Sequence, residues 1–221
     1  MKILVFAPHA DDEILGVGGT IAKYIDEGHE VFICVITSGH PSMFKEELLS
    51  SLRKEAIAAH KYLGIRETIF LDFPAVMLNE VPKFQINQKI QEIIGNIIPN
   101  VVYIPHFGDM HNDHTIVSQA CMVALRPINN HKVEEVYSYE TLSETEWNLP
   151  HSSNTFLPNT YVNISKYINK KITAIEYFNT QIKDFPHPRS SKAIISLANL
   201  RGSTIGVEAA EAFSLIRKIS S

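Results

Sequence analysis

The apolar run Ile3 to Ala7 stops abruptly at Pro8, His9, Ala10, Asp11, Asp12 and Glu13. It is short and rich in β-formers, which predicts a strand over Lys2 to Ala7. From Glu13 to Glu27 the apolar residues Ile14, Leu15, Val17, Ile21, Ala22, Tyr24 and Ile25 fall close to a helical period, and Gly28 ends it. Val31 to Thr37 reads as a second buried strand, so the chain opens as a strand-helix-strand unit with a parallel pairing. The alternation continues through a helix from Phe44 to Leu63 closed by Gly64, a strand at Thr68 to Asp72, a Pro-containing loop to Pro82, a helix at Phe84 to Ile98 and a strand at Val101 to Pro105. A polar stretch then precedes a helical pattern from Ile116 to Leu125. Strands are expected at Glu134 to Glu140 and Thr160 to Ile164, with loop between them from Thr141 to Asn159. From Ser165 onward the pattern is helical, broken at Phe185 to Ser190, and the tail from Ile194 to Ile219 is apolar enough to pack on the sheet.

This order of elements predicts a single domain, 1–221, folded as a three-layer α/β/α sandwich with a Rossmann-like, mostly parallel sheet. In such sheets ligands bind beyond the carboxyl ends of the strands, and two polar clusters are expected at that edge. One is His9 to Glu13 after the first strand; the other is His106, Asp109, His111, Asn112, Asp113 and His114 after the fourth. Three consecutive carboxylates repel one another unless a cation or proton relieves them, which points to a metal. Catalytic zinc typically keeps three protein ligands and leaves a position for water, and amide hydrolysis needs one further carboxylate to take the water's proton. On an irregular loop Asp11 and Asp12 can point in different directions, one to the metal and one to the water. His111 and His114 share a face if the helix has begun by then, and either completes a site with His9 and Asp12.

Plainer readings compete. Asp is a favoured N-cap, so the acids could simply cap the helix that begins at Glu13; capping explains one acid but not the preceding histidine. Ten histidines in 221 residues will also bring some pair close by accident. Gly16, Val17, Gly18 and Gly19 are a poor dinucleotide fingerprint, because Ile21 stands where the third glycine belongs, and close packing of the first helix on the sheet is the better reading.

A net charge of -4 with scattered basic residues argues against a nucleic-acid partner. The opening lacks an export pattern and no run is long enough to span a bilayer, so a cytoplasmic protein without membrane insertion is expected. Cys34 and Cys121 sit in apolar contexts and read as reduced core residues, with a disulfide or a metal pair as the alternatives. His29, His60, His131 and His151 lie outside both clusters and are assigned to the surface, and Trp147 is uninformative.

With His9, Ala10, Asp11, Asp12, Glu13 and His111, Asn112, Asp113, His114 in view, the chain resembles the LmbE-like (PIG-L) family of zinc-dependent N-deacetylases. Each motif lacks the family's usual proline, which is not a chemical group. The likeness extends to Gly18, Gly19, Thr20, Thr37, Gly39, Arg53, Glu55, Arg201, Gly202, Glu211, Ala212 and Phe213. It implies zinc, or another divalent first-row ion, held by His9, Asp12 and His114. Asp11 would be the general base, and His111, oriented by Asp113, would stand beside the developing oxyanion. The implied substrate is a small N-acetylated amino-sugar conjugate. Its hydroxyls and attached group are expected to meet Ser38, His40, Arg53, His187 and Arg189. A zinc amidase of non-sugar amides and a non-catalytic sugar or nucleotide binder are the alternatives, and a homo-oligomer is compatible with either. An intact Asp11 speaks against a pure binder.

Overall fold

Alternate residues of each buried strand feed two separate cores. In the computed structural model, which describes residues 1–39, 42–43, 45–128 and 133–220, strand β1 (Lys2–Ala7) sends Ile3 and Val5 to one face and Leu4 and Phe6 to the other. Strands β2 (Glu30–Ser38), β3 (Glu67–Pro74), β4 (Val101–Pro105) and β5 (Glu135–Tyr139) extend it as a parallel sheet. Helices α1 (Asp12–Asp26), α2 (Glu46–Leu63), α5 (Ile168–Glu176) and α6 (Ser191–Thr204) cover the first face. Helices α3 (Lys83–Ile97) and α4 (Asn112–Ala124) cover the second, where Cys34 and Cys121 lie free and buried among Phe32, Ile36 and Val117.

The expected helical tail is corrected at its end. Ala210–Lys218 forms strand β7, antiparallel to both β5 and β6 (Thr160–Asn163), and completes the order β3-β2-β1-β4-β5-β7-β6. Residues 209–213 are wholly buried, and pairing on both sides overrides the helix-compatible run of Ala, Glu and Leu. The strand order reverses between β1 and β4, the point at which an open parallel sheet leaves a crevice at its carboxyl edge. The loops that follow these two strands carry the two polar clusters.

Close packing fixes α1 over the sheet. A Cβ on Gly16 would run into the Tyr139 ring, and one on Gly19 would meet Ile164 at 2.7 Å. Inside the helix the Glu211 carboxylate accepts from the Gly19 and Thr20 N–H groups at 2.9 and 2.7 Å, while Lys171 Nζ donates to Glu211 at 2.6 Å and to the Leu15 carbonyl at 2.7 Å. This buried pair from β7 and α5 holds the helix whose first turn carries Asp12 and Glu13.

Candidate metal centre and active site

The first cluster is anchored before any ligand is considered. Thr37 at the end of β2 donates both its N–H and its hydroxyl to the Pro8 carbonyl, at 3.0 and 2.7 Å. The His9 N–H donates to Asp12 Oδ2 at 2.8 Å, which turns that carboxylate back across the loop. Asp11 takes φ 124, a region disfavoured for any side chain, at a cost on the order of 1–3 kcal/mol that surrounding contacts must offset. It occupies the N-cap position of α1, yet its side chain makes no capping bond, so simple capping does not account for it.

His9, Asp12 and His114 each present a ligand atom, all within 4.8 Å of one another. Asp12 Oδ1 and His114 Nε2 are buried without a hydrogen-bond partner; Nε2 lies 3.2 Å from Asp12 Oδ2 but out of line for a bond. His114 Nδ1 pairs with Asp109 Oδ2 at 2.8 Å, and His9 Nε2 pairs with Asp113 Oδ2 at 3.1 Å. Each carboxylate therefore orients one imidazole and leaves the other nitrogen, His114 Nε2 or His9 Nδ1, turned to Asp12, the outer-sphere pattern of metal-binding histidines. The Thr145 hydroxyl completes Asp109 at 2.6 Å. A second grouping, His9, His111 and Asp113, suits an ion less well. There Asp113 already accepts from the Val76 N–H at 2.7 Å, and His111 Nδ1 accepts from the Asp113 N–H at 3.1 Å.

Protonation follows from these contacts. Burial pulls His9 down, but its bonds to Asp113 and Asp12 outweigh that and carry it up to about 9. Burial likewise opposes His114, and attraction to Asp12 with the Asp109 bond carries it up to about 10. Asp12 is held well below the usual carboxylate range: burial pushes up, and His114 and His9 overcome it. Two protonated imidazoles thus face one ionised carboxylate, and an ion bound there would displace their protons.

Asp11 behaves oppositely. Burial raises it to about 7 despite the Arg189 guanidinium, whose Nη1 stands 3.0 Å from Asp11 Oδ2. A carboxylate poised near neutrality suits general-base work. Arg189 is held in turn by the Ser143 hydroxyl at 2.8 Å, Gln181 Oε1 at 3.1 Å and Glu144 at 3.5 Å, so its fork braces Asp11 from the loop before α6. His111 is pulled down to about 4 by burial and by the neighbouring His9. With Nδ1 accepting from a backbone N–H, a neutral His111 carries its proton on Nε2 and is a hydrogen-bond donor. The Asp113 carboxylate stands 3.9 Å from His111 and 3.1 Å from His9 and bonds His9, while the Asp113 N–H at 3.1 Å is what orients His111.

The remaining candidates are scattered. Ser38 ends β2 and accepts at its carbonyl from the Ala75 N–H at 2.8 Å. Arg53 on α2 is half exposed, paired with Asp72 at 2.9 Å and stacked 4.2 Å over the Phe70 ring. His187 accepts from the Arg189 N–H at 3.0 Å and meets the Trp147 ring edge-on at 6.1 Å. His40 lies outside the described residues, as does His131. Phe107, Met110 and Trp147 are exposed by 48%, 63% and 53%. His60 is corrected: it is 2% exposed, not a surface residue, and bonds Glu13. Asp109 stands in the second cluster without a role assigned from sequence, although an acid five residues before His114 on the same loop is a usable signal.

Two imidazoles and a carboxylate at the switch point of this α/β sandwich could hold a metal ion, and a second carboxylate stands beside them, a set whose chemistry suits hydrolysis. The family model described as PIG-L, GlcNAc-PI de-N-acetylase, matches residues 4–125, which span both motifs and more than half the chain. The chain belongs to the PIG-L family. It is similar to the uncharacterized deacetylase YaiS of Escherichia coli, 30% identical over 183 residues that cover 79% of this chain and 88% of that one. A probable N-acetyl-alpha-D-glucosaminyl L-malate deacetylase 2 of Bacillus anthracis is 25% identical, covering 81% and 80%. Among solved structures, the conserved protein TT1542 from Thermus thermophilus superimposes with a TM-score of 0.80 at 27% identity, covering 99% of this chain and 96% of that one.

Proposed function

We propose that the chain is a zinc-dependent N-deacetylase that hydrolyses the acetamide of an N-acetylglucosamine-type sugar carrying a further group, releasing acetate and a free amine. The observation that carries this reading is the division of labour between neighbouring acids: Asp12 turned to His9 and His114, and Asp11 held apart and raised to about 7. His9, Asp12 and His114 would hold the ion, and a mixed nitrogen and oxygen set suits zinc while tolerating other first-row ions. When bound, the ion supplies Lewis acidity to the acetamide carbonyl and to the attacking water. Asp11 takes the water's proton and returns it to the departing nitrogen. His111 donates from Nε2 to the oxygen on which negative charge develops.

The family description and the malate-linked relative share one substrate element, N-acetylglucosamine joined to something else, which supports that class. Exposed Phe107, Met110 and Trp147 offer apolar surface for a sugar ring or its attachment, with Arg53 and His187 as polar contacts. The test is acetate release across free N-acetylglucosamine, its glycosides, nucleotide- and lipid-linked forms, and simple acetamides. A kcat/KM that favours at least one sugar conjugate over every simple acetamide is expected. Equal turnover of simple acetamides would replace this reading with a general amidase.

A further inference from the structure

A line of polar groups, half-buried at Thr68 and buried beyond it, runs from β3 to the backbone of the general base. His60 Nδ1 lies 2.8 Å from the Thr68 hydroxyl, and His60 Nε2 lies 2.8 Å from Glu13 Oε1. The other oxygen, Glu13 Oε2, accepts from the Asp11 N–H at 3.2 Å. Asp11, Glu13 and His60 are 1%, 0% and 2% exposed, so these groups depend on one another for their hydrogen bonds. Glu13 follows the ligand Asp12 yet faces away from the metal group, and His60 comes from α2, 47 residues on.

We infer that His60 is a positioning residue: through Glu13 it holds the Asp11 backbone in its disfavoured conformation and so aims the Asp11 carboxylate. A carboxylate can only accept, so His60 Nε2 donates and pins Oε1, which leaves Oε2 for the Asp11 N–H. Without His60, Glu13 has an unpaired buried oxygen and no reason to keep that orientation. Asp11 then loses the N–H bond that supports φ 124. The ligands are anchored separately: His9 by Asp113, His114 by Asp109, and Asp12 by the His9 N–H. Loss of the relay is therefore expected to misplace the base and spare the metal. This inference rests on the deacetylase reading for its kinetic consequence but not for its structural one.

The test compares zinc-loaded parent, His60→Leu, His60→Gln and Thr68→Val by kinetics, zinc affinity and crystal structure. For His60→Leu, kcat is expected to fall by about tenfold or more, because small displacements of a catalytic group are costly. KM and zinc affinity are expected to stay within about threefold of the parent, which separates positioning from binding. The Asp11 backbone is expected to leave its positive φ. His60→Gln, whose amide can donate to Glu13, is expected to recover most of kcat, and Thr68→Val to show a weaker loss of the same kind. A folded His60→Leu with parental kcat and an unmoved Asp11 overturns the inference. So does a parallel loss of zinc and activity that Gln does not rescue, which would mark a structural residue. Should His60→Leu fail to fold, Thr68→Val decides by the same two readouts. If the parent releases acetate from no substrate, the functional reading fails while the Asp11 backbone in the variant crystals still decides the relay.

Discussion

Arg189→Met removes the guanidinium braced against the general base. The Nη1 to Oδ2 distance is 3.0 Å, and the side chains are 19% and 2% exposed, so solvent screens the pair only in part. An adjacent Arg typically lowers an Asp by about 1–3 units, or about 1.4–4 kcal/mol. Its loss should therefore raise Asp11 from about 7 by a similar amount. The base must be ionised to work, so activity rises with pH through this group, and the acidic limb of kcat/KM should shift to higher pH by about 1–3 units. A bound cation lowers Asp11 in both proteins and largely cancels from the comparison. The assay is acetate release from pH 5 to 10, fitted for the position of the limb and not its height, since Arg189 can also contact substrate. A limb that stays in place, or moves to lower pH, would show that Arg189 does not govern the base.

Asp109→Ala should weaken zinc affinity by about 10–100-fold by freeing the His114 ring, measured by chelator competition; unchanged affinity would remove Asp109 from the centre. His111→Ala should lower kcat by about a hundredfold or more without removing an alkaline limb, because a group pulled down to about 4 is already neutral across the assay range. Loss of an alkaline limb would instead show a working imidazolium. Lys171→Met leaves the buried Glu211 charge with the Gly19 and Thr20 N–H groups but no cation and should cost about 3–5 kcal/mol in urea unfolding; a change under about 1 kcal/mol would contradict a braced helix.

What could be read from the sequence was local or followed from strand-helix alternation. The strand before His9 announces itself in five apolar residues, and parallel topology alone brings the loop after Pro105 to the same edge. The β7 strand was hidden because Ala210, Glu211 and Ala212 also suit a helix, and only pairing with β5 and β6 decides otherwise. His60 was invisible as an inner residue because its partner Glu13 lies 47 positions away. Asp113 does two things, of which sequence neighbours suggest one: its N–H orients His111, while the fold brings its carboxylate to His9 across 104 positions. Whether His111 is charged depends on burial and on His9, neither of which the spacing of a motif conveys.

The most direct test is to strip the protein with chelator and titrate it with zinc while quantifying acetate and free amine from an N-acetylglucosaminyl conjugate. No release is predicted before zinc is added, followed by a linear rise that saturates at one ion per chain held by His9, Asp12 and His114. Asp11→Asn is predicted to take up the same ion and to release acetate about a hundredfold or more slowly. Acetate release by the metal-free protein, or an Asp11→Asn variant as fast as the parent, would contradict hydrolysis at this site.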